Sequence, residues 1–192
     1  QTPISIDPVF SQSVAFEPLA NTTIATTSLS VLGKATSNVG LGLTYTTVSA
    51  TASVCTVSGT TVSILGVGTC SVDVTGNPGG MYKYSNVTQG SFEVTGLAPT
   101  VATNDATSIG VTTATLNATV NARFITSAMS IEYATSATLA GSTMVSGTAV
   151  TGSTDTARGI AVTGLAAGTT YYFRASATNS AGTTTASEIK SF

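Results

Sequence analysis

Residues 54–72 read VCTVSGTTVSILGVGTCSV. Valine, isoleucine and cysteine alternate there with threonine and serine, and single glycines break the alternation. Successive side chains of a β-strand point to opposite faces, so a period of two is typical of strands that bury one face. The stretch therefore predicts three short strands, over residues 54–58, 61–65 and 69–74, joined by glycine turns.

The same period continues on both sides of this stretch. Residues 44–50 (TYTTVSA) and 90–96 (GSFEVTG) alternate in the same way, and no window has the period of a helix. Turn residues recur at intervals of about ten residues, a spacing typical of β-sandwiches. We therefore predict an all-β protein built from short strands.

A domain boundary is predicted at GLAPT, residues 96–100, where one alternating pattern ends and another begins after a proline. The chain then divides into domains over residues 13–96 and 97–192, each long enough to fold by itself. Residues 1–12 precede the first domain. Prolines interrupt this segment, so we expect an N-terminal extension that acts as a linker or an edge strand.

The composition points to an uncharged surface. Charged residues make up 7% of the 192 residues, against about 25% in a typical soluble domain. Hydrophobic residues make up 42%, so a folded chain is expected. Nucleic-acid binding requires clustered cations, and no run approaches the length of a membrane span. The basic residues are spread singly: Lys34, Lys83, Arg123, Arg158, Arg174 and Lys190.

Two cysteines, Cys55 and Cys70, bracket the predicted strands. They are either two buried thiols or one disulfide, and the extracellular character of the composition favours the disulfide. In a simple meander the first and third strands lie about 9.6 Å apart, twice the strand spacing. A disulfide needs Cα atoms within about 4.4–6.8 Å. A bridge therefore predicts that the third strand crosses to the opposite sheet.

The first domain resembles the bacterial immunoglobulin-like repeats of secreted and cell-surface proteins. The resemblance runs over residues 13–95, and residues 54–72 are its most specific part, with a Cys-bearing strand, an SG turn and GVGTC opening a third strand. It implies a β-sandwich in which the paired cysteines form a bridge. It also implies a secreted protein or one on the bacterial cell surface.

The second domain resembles a fibronectin type III module. Residues 107–122 are similar to its first two strands, and residues 159–192 to its last three. Leu165 and Tyr171 match the tyrosine corner, in which a buried phenol hydrogen-bonds to nearby backbone. The usual tryptophan of the second strand is absent, and Leu116 takes its place. With the first domain, this implies two tandem immunoglobulin-like β-sandwiches.

The residues offer little for catalysis. The chain has no histidine, which removes histidine-based triads and most zinc sites. No two acidic residues are neighbours, and the acidic stretches supply too few ligands for a calcium loop. We therefore expect no enzyme activity, no metal and no cofactor. Tyr82 and Tyr84 lie beside a turn at residues 77–80, which makes them candidates for exposed aromatics that contact a ligand.

These observations favour a non-catalytic structural protein, a subunit or stalk segment of a cell-surface fibre, sheath or surface layer. A chain with so little charge is suited to packing against copies of itself or neighbouring domains. Ile4 and Ile6, at strand spacing, suggest addition of the N-terminal segment to a neighbour's sheet edge. An adhesin or a carbohydrate-binding accessory module of a larger secreted protein is the alternative, with glycans as partners.

Overall fold

The structure, a computed structural model, describes residues 10–192. The chain separates into two compact units, the first ending at Thr95 and the second beginning at Gly96. Both units are built of β-strands, and the helical element of the described residues is a single 3-10 turn, Ser49–Thr51. Two tandem immunoglobulin-like β-sandwiches therefore form the all-β fold, as the sequence predicts. Ile4 and Ile6 lie outside the described residues.

The first unit places its strands in two facing sheets. One sheet has the order β2-β9-β8-β5, with β2 parallel to β9, and the other has the order β3-β7-β6. A separate antiparallel pair joins β1 to β4. The strands are β1 (Val14–Phe16), β2 (Thr22–Thr23), β3 (Ser28–Ser30), β4 (Ala35–Ser37), β5 (Leu43–Thr47), β6 (Cys55–Ser58), β7 (Thr61–Ile64), β8 (Gly68–Gly76) and β9 (Thr88–Thr95).

The alternating stretch forms β6, β7 and β8, close to the predicted bounds. Its apolar side chains line the core of the first unit, with Val62 and Val72 fully buried. Gly59 turns the chain between β6 and β7 with a φ of 60°. Residues with a Cβ rarely adopt this left-handed conformation, so glycine makes the tight turn possible.

The second unit also places its strands in two sheets, with the orders β10-β11-β14 and β13-β12-β15-β16. The short strand β17 continues the edge after β16 and pairs with β15. The strands are β10 (Thr100–Thr107), β11 (Thr113–Asn121), β12 (Ala128–Ala134), β13 (Thr143–Ser146), β14 (Thr156–Thr163), β15 (Tyr172–Asn179), β16 (Gly182–Thr185) and β17 (Lys190–Ser191).

The core of the second unit is centred on Leu116, Ile131 and Phe173, which are all fully buried. Leu116 occupies the middle of β11, so an aliphatic side chain fills the core where the resemblance leads one to look for tryptophan. Alanines of β11, in one sheet, and of β15, in the other sheet, belong to the same core cluster. Small residues of this kind keep the two sheets close around the few large side chains.

The first strand of the second unit lies earlier than predicted. Residues 107–122 hold only the end of β10 and the whole of β11. The reason is Thr103, a polar residue that points into the sandwich and is buried. Its hydroxyl accepts a hydrogen bond from the Ala175 N–H at 3.1 Å, in the gap between β16 and β17. A buried threonine whose hydroxyl is hydrogen-bonded to a distant strand is polar. The sequence of β10 therefore lacks the alternation of apolar and polar residues that predicts a strand.

Candidate functional site

The first fixed point of the molecule is the Cys55–Cys70 disulfide. The Cα atoms are 5.7 Å apart, and both side chains are fully buried. Cys55 lies on β6 in the three-stranded sheet, and Cys70 lies on β8 in the four-stranded sheet. The bridge therefore joins the two sheets through the core, and the third strand crosses over as the spacing argument requires.

The second fixed point is the loop before β15. The Tyr171 hydroxyl accepts a hydrogen bond from the Ala166 N–H at 3.0 Å, while Leu165 is buried beside it. The Tyr171 ring stacks on Phe192 with ring centroids 5.8 Å apart. Tyr171 is half-buried rather than buried, contrary to the sequence-based expectation. It lies at the rim of the core, where its hydroxyl reaches an exposed turn.

Tyr82 and Tyr84 lie in the loop between β8 and β9, and the structure gives them different surroundings. Tyr84 is 63% exposed, whereas Tyr82 is half-buried and packs against Phe10 with ring centroids 5.8 Å apart. Phe10 and Met81 are themselves about half exposed. Phe10, Met81 and Tyr82 lie next to one another, and we call these residues together with the exposed Tyr84 the aromatic loop.

Gln12 holds the aromatic loop in place, which the sequence did not indicate. Its side chain is buried, and its amide donates to the carbonyls of Asn77 at 2.7 Å and Lys83 at 2.9 Å. The Ser37 hydroxyl donates a hydrogen bond to the Gln12 Oε1 at 2.9 Å. These partners lie far apart in sequence, so only the folded chain shows that Gln12 positions the loop.

Several charged groups of the described residues form ion pairs on the second unit. Arg174 makes two hydrogen bonds to Glu132, directly opposite on the neighbouring strand, at 2.8 and 3.1 Å. Lys190 lies 2.8 Å from Glu188 and 3.3 Å from Asp105, and its hydrogen bonds to these carboxylates raise its pKa. Within residues 10–192, no three acidic or cysteine side chains converge on a point that could hold a metal ion.

An open hollow of about 450 Å³ crosses the outer face of the sheet β10-β11-β14. Gly159 forms part of its floor, because a Cβ there would lie 2.8 Å from the Asn117 Oδ1. The Asn117 amide donates to the Asp105 carbonyl at 2.8 Å and to the Thr107 hydroxyl at 3.0 Å. These bonds hold the irregular end of β10 against β11, so the polar groups serve the sheet itself.

No family model and no curated protein matches the sequence. Among the described residues, no helix has the length and apolar character to cross a membrane.

Several solved structures are similar to this chain, although their TM-scores are low. The sensor domain of the anti-sigma factor RsgI4 of Pseudobacteroides cellulosolvens is 17% identical, covering 49% of this chain and 86% of that one, with a TM-score of 0.35. A multidomain segment of titin is 13% identical, with a TM-score of 0.34. The FN1–FN3 domains of chicken CNTN1 are 15% identical, with a TM-score of 0.36. In the last two cases the match covers 95% of this chain and 66% of the other.

Replacing both Cys55 and Cys70 by alanine should lower the free energy of unfolding of the first unit by about 3 kcal/mol, because a loop of this length loses its cross-link. Denaturant unfolding followed by circular dichroism measures the change. Alkylation of the unreduced chain in denaturant, which exposes both buried cysteines, followed by intact-mass spectrometry is the control, and it should find no free thiol. Two alkylated cysteines would show that the bridge does not form.

Replacing Tyr171 by phenylalanine should cost the second unit about 1 kcal/mol, because the Ala166 N–H loses its acceptor. The ring stays in place, so a shift in the denaturation midpoint reports the hydroxyl alone. Tyr84→Phe is the matched control, since its exposed side chain lies in the other unit. An unchanged midpoint for Tyr171→Phe would contradict the structural role of this hydrogen bond.

Proposed function

We propose that this chain is a non-catalytic extracellular structural protein, a subunit or stalk segment of a bacterial cell-surface assembly such as a fibre, sheath or surface layer. Its partners are copies of itself or neighbouring domains of that assembly. The observation that carries the proposal is the low charge of the chain, in which charged residues make up 7% of the sequence.

The outer face of the sheet β10-β11-β14 illustrates this surface. On β11, Thr115 and Thr119 lie opposite Ala161 and Ala157 of the edge strand β14, and the two alanines are exposed. Small, uncharged side chains make a surface that another sheet approaches without burying a charge. Soluble domains ordinarily keep apart through surface charge, and this chain has little to use for that purpose.

The disulfide supports an extracellular location. Disulfides persist in oxidising compartments and are rare in the cytosol. The Cys55–Cys70 bridge clamps two sheets rather than two neighbouring strands, which suits a sandwich that must stay closed outside the cell.

Assembly should therefore appear as the concentration of the purified chain rises. We expect light scattering to increase and negative-stain microscopy to show ordered polymers. Because uncharged faces would make the contact, raising the salt concentration should not dissolve the polymers, since screening acts on charges. A second sample lacking residues 1–9, which keeps Phe10 and Gln12 in the first unit, tests strand addition by the N-terminal segment: unchanged assembly would favour lateral packing of sheet faces. A full-length chain that stays monomeric at every concentration would refute the structural proposal.

The aromatic loop favours a second candidate, an adhesin or carbohydrate-binding accessory module. Exposed aromatic rings are suited to contact with a sugar ring, and Gln12 fixes the loop that presents them. Affinity electrophoresis on polysaccharide gels is the test. Tyr84→Ala should weaken binding about tenfold or more, as loss of an aromatic anchor does, while Phe124→Ala, an exposed aromatic of the second unit, should not. Migration unaffected by any polysaccharide would exclude this candidate.

A further inference from the structure

The free edge of the five-stranded sheet in the second unit has unpaired backbone groups. Strand β13 ends the sheet order β13-β12-β15-β16. Gly147, one residue past its end, donates its N–H to the Met129 carbonyl on β12 at 2.9 Å. Bonded and non-bonded pairs alternate along an antiparallel ladder, and Met144 lies opposite Glu132 in the same register. The N–H and C=O groups of Met144 and Ser146 therefore point away from β12, toward solvent.

This edge lacks the features that usually block strand pairing. The four residues of β13 include no charge and no proline, and Met144 is 65% exposed. Charged side chains, prolines and bulges are the ordinary protection of an edge. An exposed apolar side chain next to unpaired backbone makes β13 a surface on which another strand can add.

The other edges of the second unit are covered or polar. On β14, the Arg158 guanidinium donates to the Ala157 carbonyl at 3.2 Å. Lys190 on β17 forms an ion pair with Asp105 on β10. On β16 the exposed side chains are threonines.

We propose that β13 is an interface between two copies of this chain, paired antiparallel about a twofold axis with Met144 opposite the partner's Met144. This inference rests on the proposed assembly function and identifies one contact within it. A twofold contact must be complementary to itself, and this register satisfies that condition. Each Met144 N–H reaches the C=O of the partner's Met144, and each Ser146 N–H reaches the C=O of the partner's Ser142.

The side chains fit the same register. Residues directly opposite in an antiparallel pair point to the same face, so the two Met144 side chains cover each other. Glu132, on the next strand inward, lies three strand spacings from its copy, about 14 Å. This separation exceeds the Debye length of about 8 Å at physiological ionic strength. The acidic residues therefore oppose the pairing only weakly.

A single introduced thiol tests the register directly. The chain's two cysteines are bonded to each other, so Met144→Cys supplies one reactive thiol per copy. Cα atoms of a hydrogen-bonded antiparallel pair lie about 5.5 Å apart, within the range that a disulfide spans. Mild oxidation should give a covalent dimer on a non-reducing gel. Val111→Cys is the control, because Val111 is 78% exposed in the turn between β10 and β11. Equal cross-linking of both variants would overturn the register.

A charge placed on the edge tests the interface in solution. Met144→Lys should raise the dimer dissociation constant, measured by sedimentation equilibrium, by about tenfold or more, because like charges then lie opposite each other. Val111→Lys adds the same charge elsewhere and should leave the constant unchanged. If the wild-type chain associates and Met144→Lys associates equally well, the β13 contact is wrong while the assembly function stands. If the wild-type chain is monomeric at every concentration, both fail.

Discussion

Each strand of this protein buries one face, and the chain has little charge to distinguish the solvent-exposed face from the buried one. In most sandwiches, lysine, glutamate and arginine identify the solvent face. Here threonine, serine and alanine cover most of it, and these residues tolerate either environment. Register therefore depends on a few large apolar side chains, such as Val62 and Val72 in the first unit and Leu116 and Phe173 in the second. A one-residue slip would move each of them into water.

Two further interactions, a disulfide and a side-chain hydrogen bond, help to fix the strand positions. In the first unit the Cys55–Cys70 bridge fixes β6 and β8 across the core, so the sheets cannot slide past each other. In the second unit the Tyr171 hydroxyl bonds to the Ala166 N–H, and the Tyr171 ring stacks on Phe192. This places the loop before β15 against the end of the chain. The disulfide and the hydrogen bond each connect a loop or strand to a distant part of the same unit. They fix positions that hydrophobic contacts alone would not fix.

The same sparse charge shapes the surface. Several of the described charges lie in ion pairs, such as Arg174 with Glu132 across two neighbouring strands, and Arg158 lies on the edge strand β14. What remains are sheet faces of small side chains, one apolar loop around Tyr84, and the edge strand β13. Association at these surfaces would bury little charge, and they connect the fold to the functions proposed for it.

Short-range alternation and turn residues were sufficient to predict the strands within residues 54–72, and the resemblance to immunoglobulin-like repeats implied the Cys55–Cys70 bridge. The position of β10 could not be predicted in this way, because its buried Thr103 accepts a hydrogen bond from the Ala175 N–H on a strand far along the chain. The same is true of Gln12, whose amide bonds reach Asn77 and Lys83, and of Tyr171, which lies at the rim of the core rather than within it. The physical reason is common to all three. Their environments are set by hydrogen bonds and packing between segments distant in sequence, and a local pattern of apolar and polar residues holds no record of those contacts.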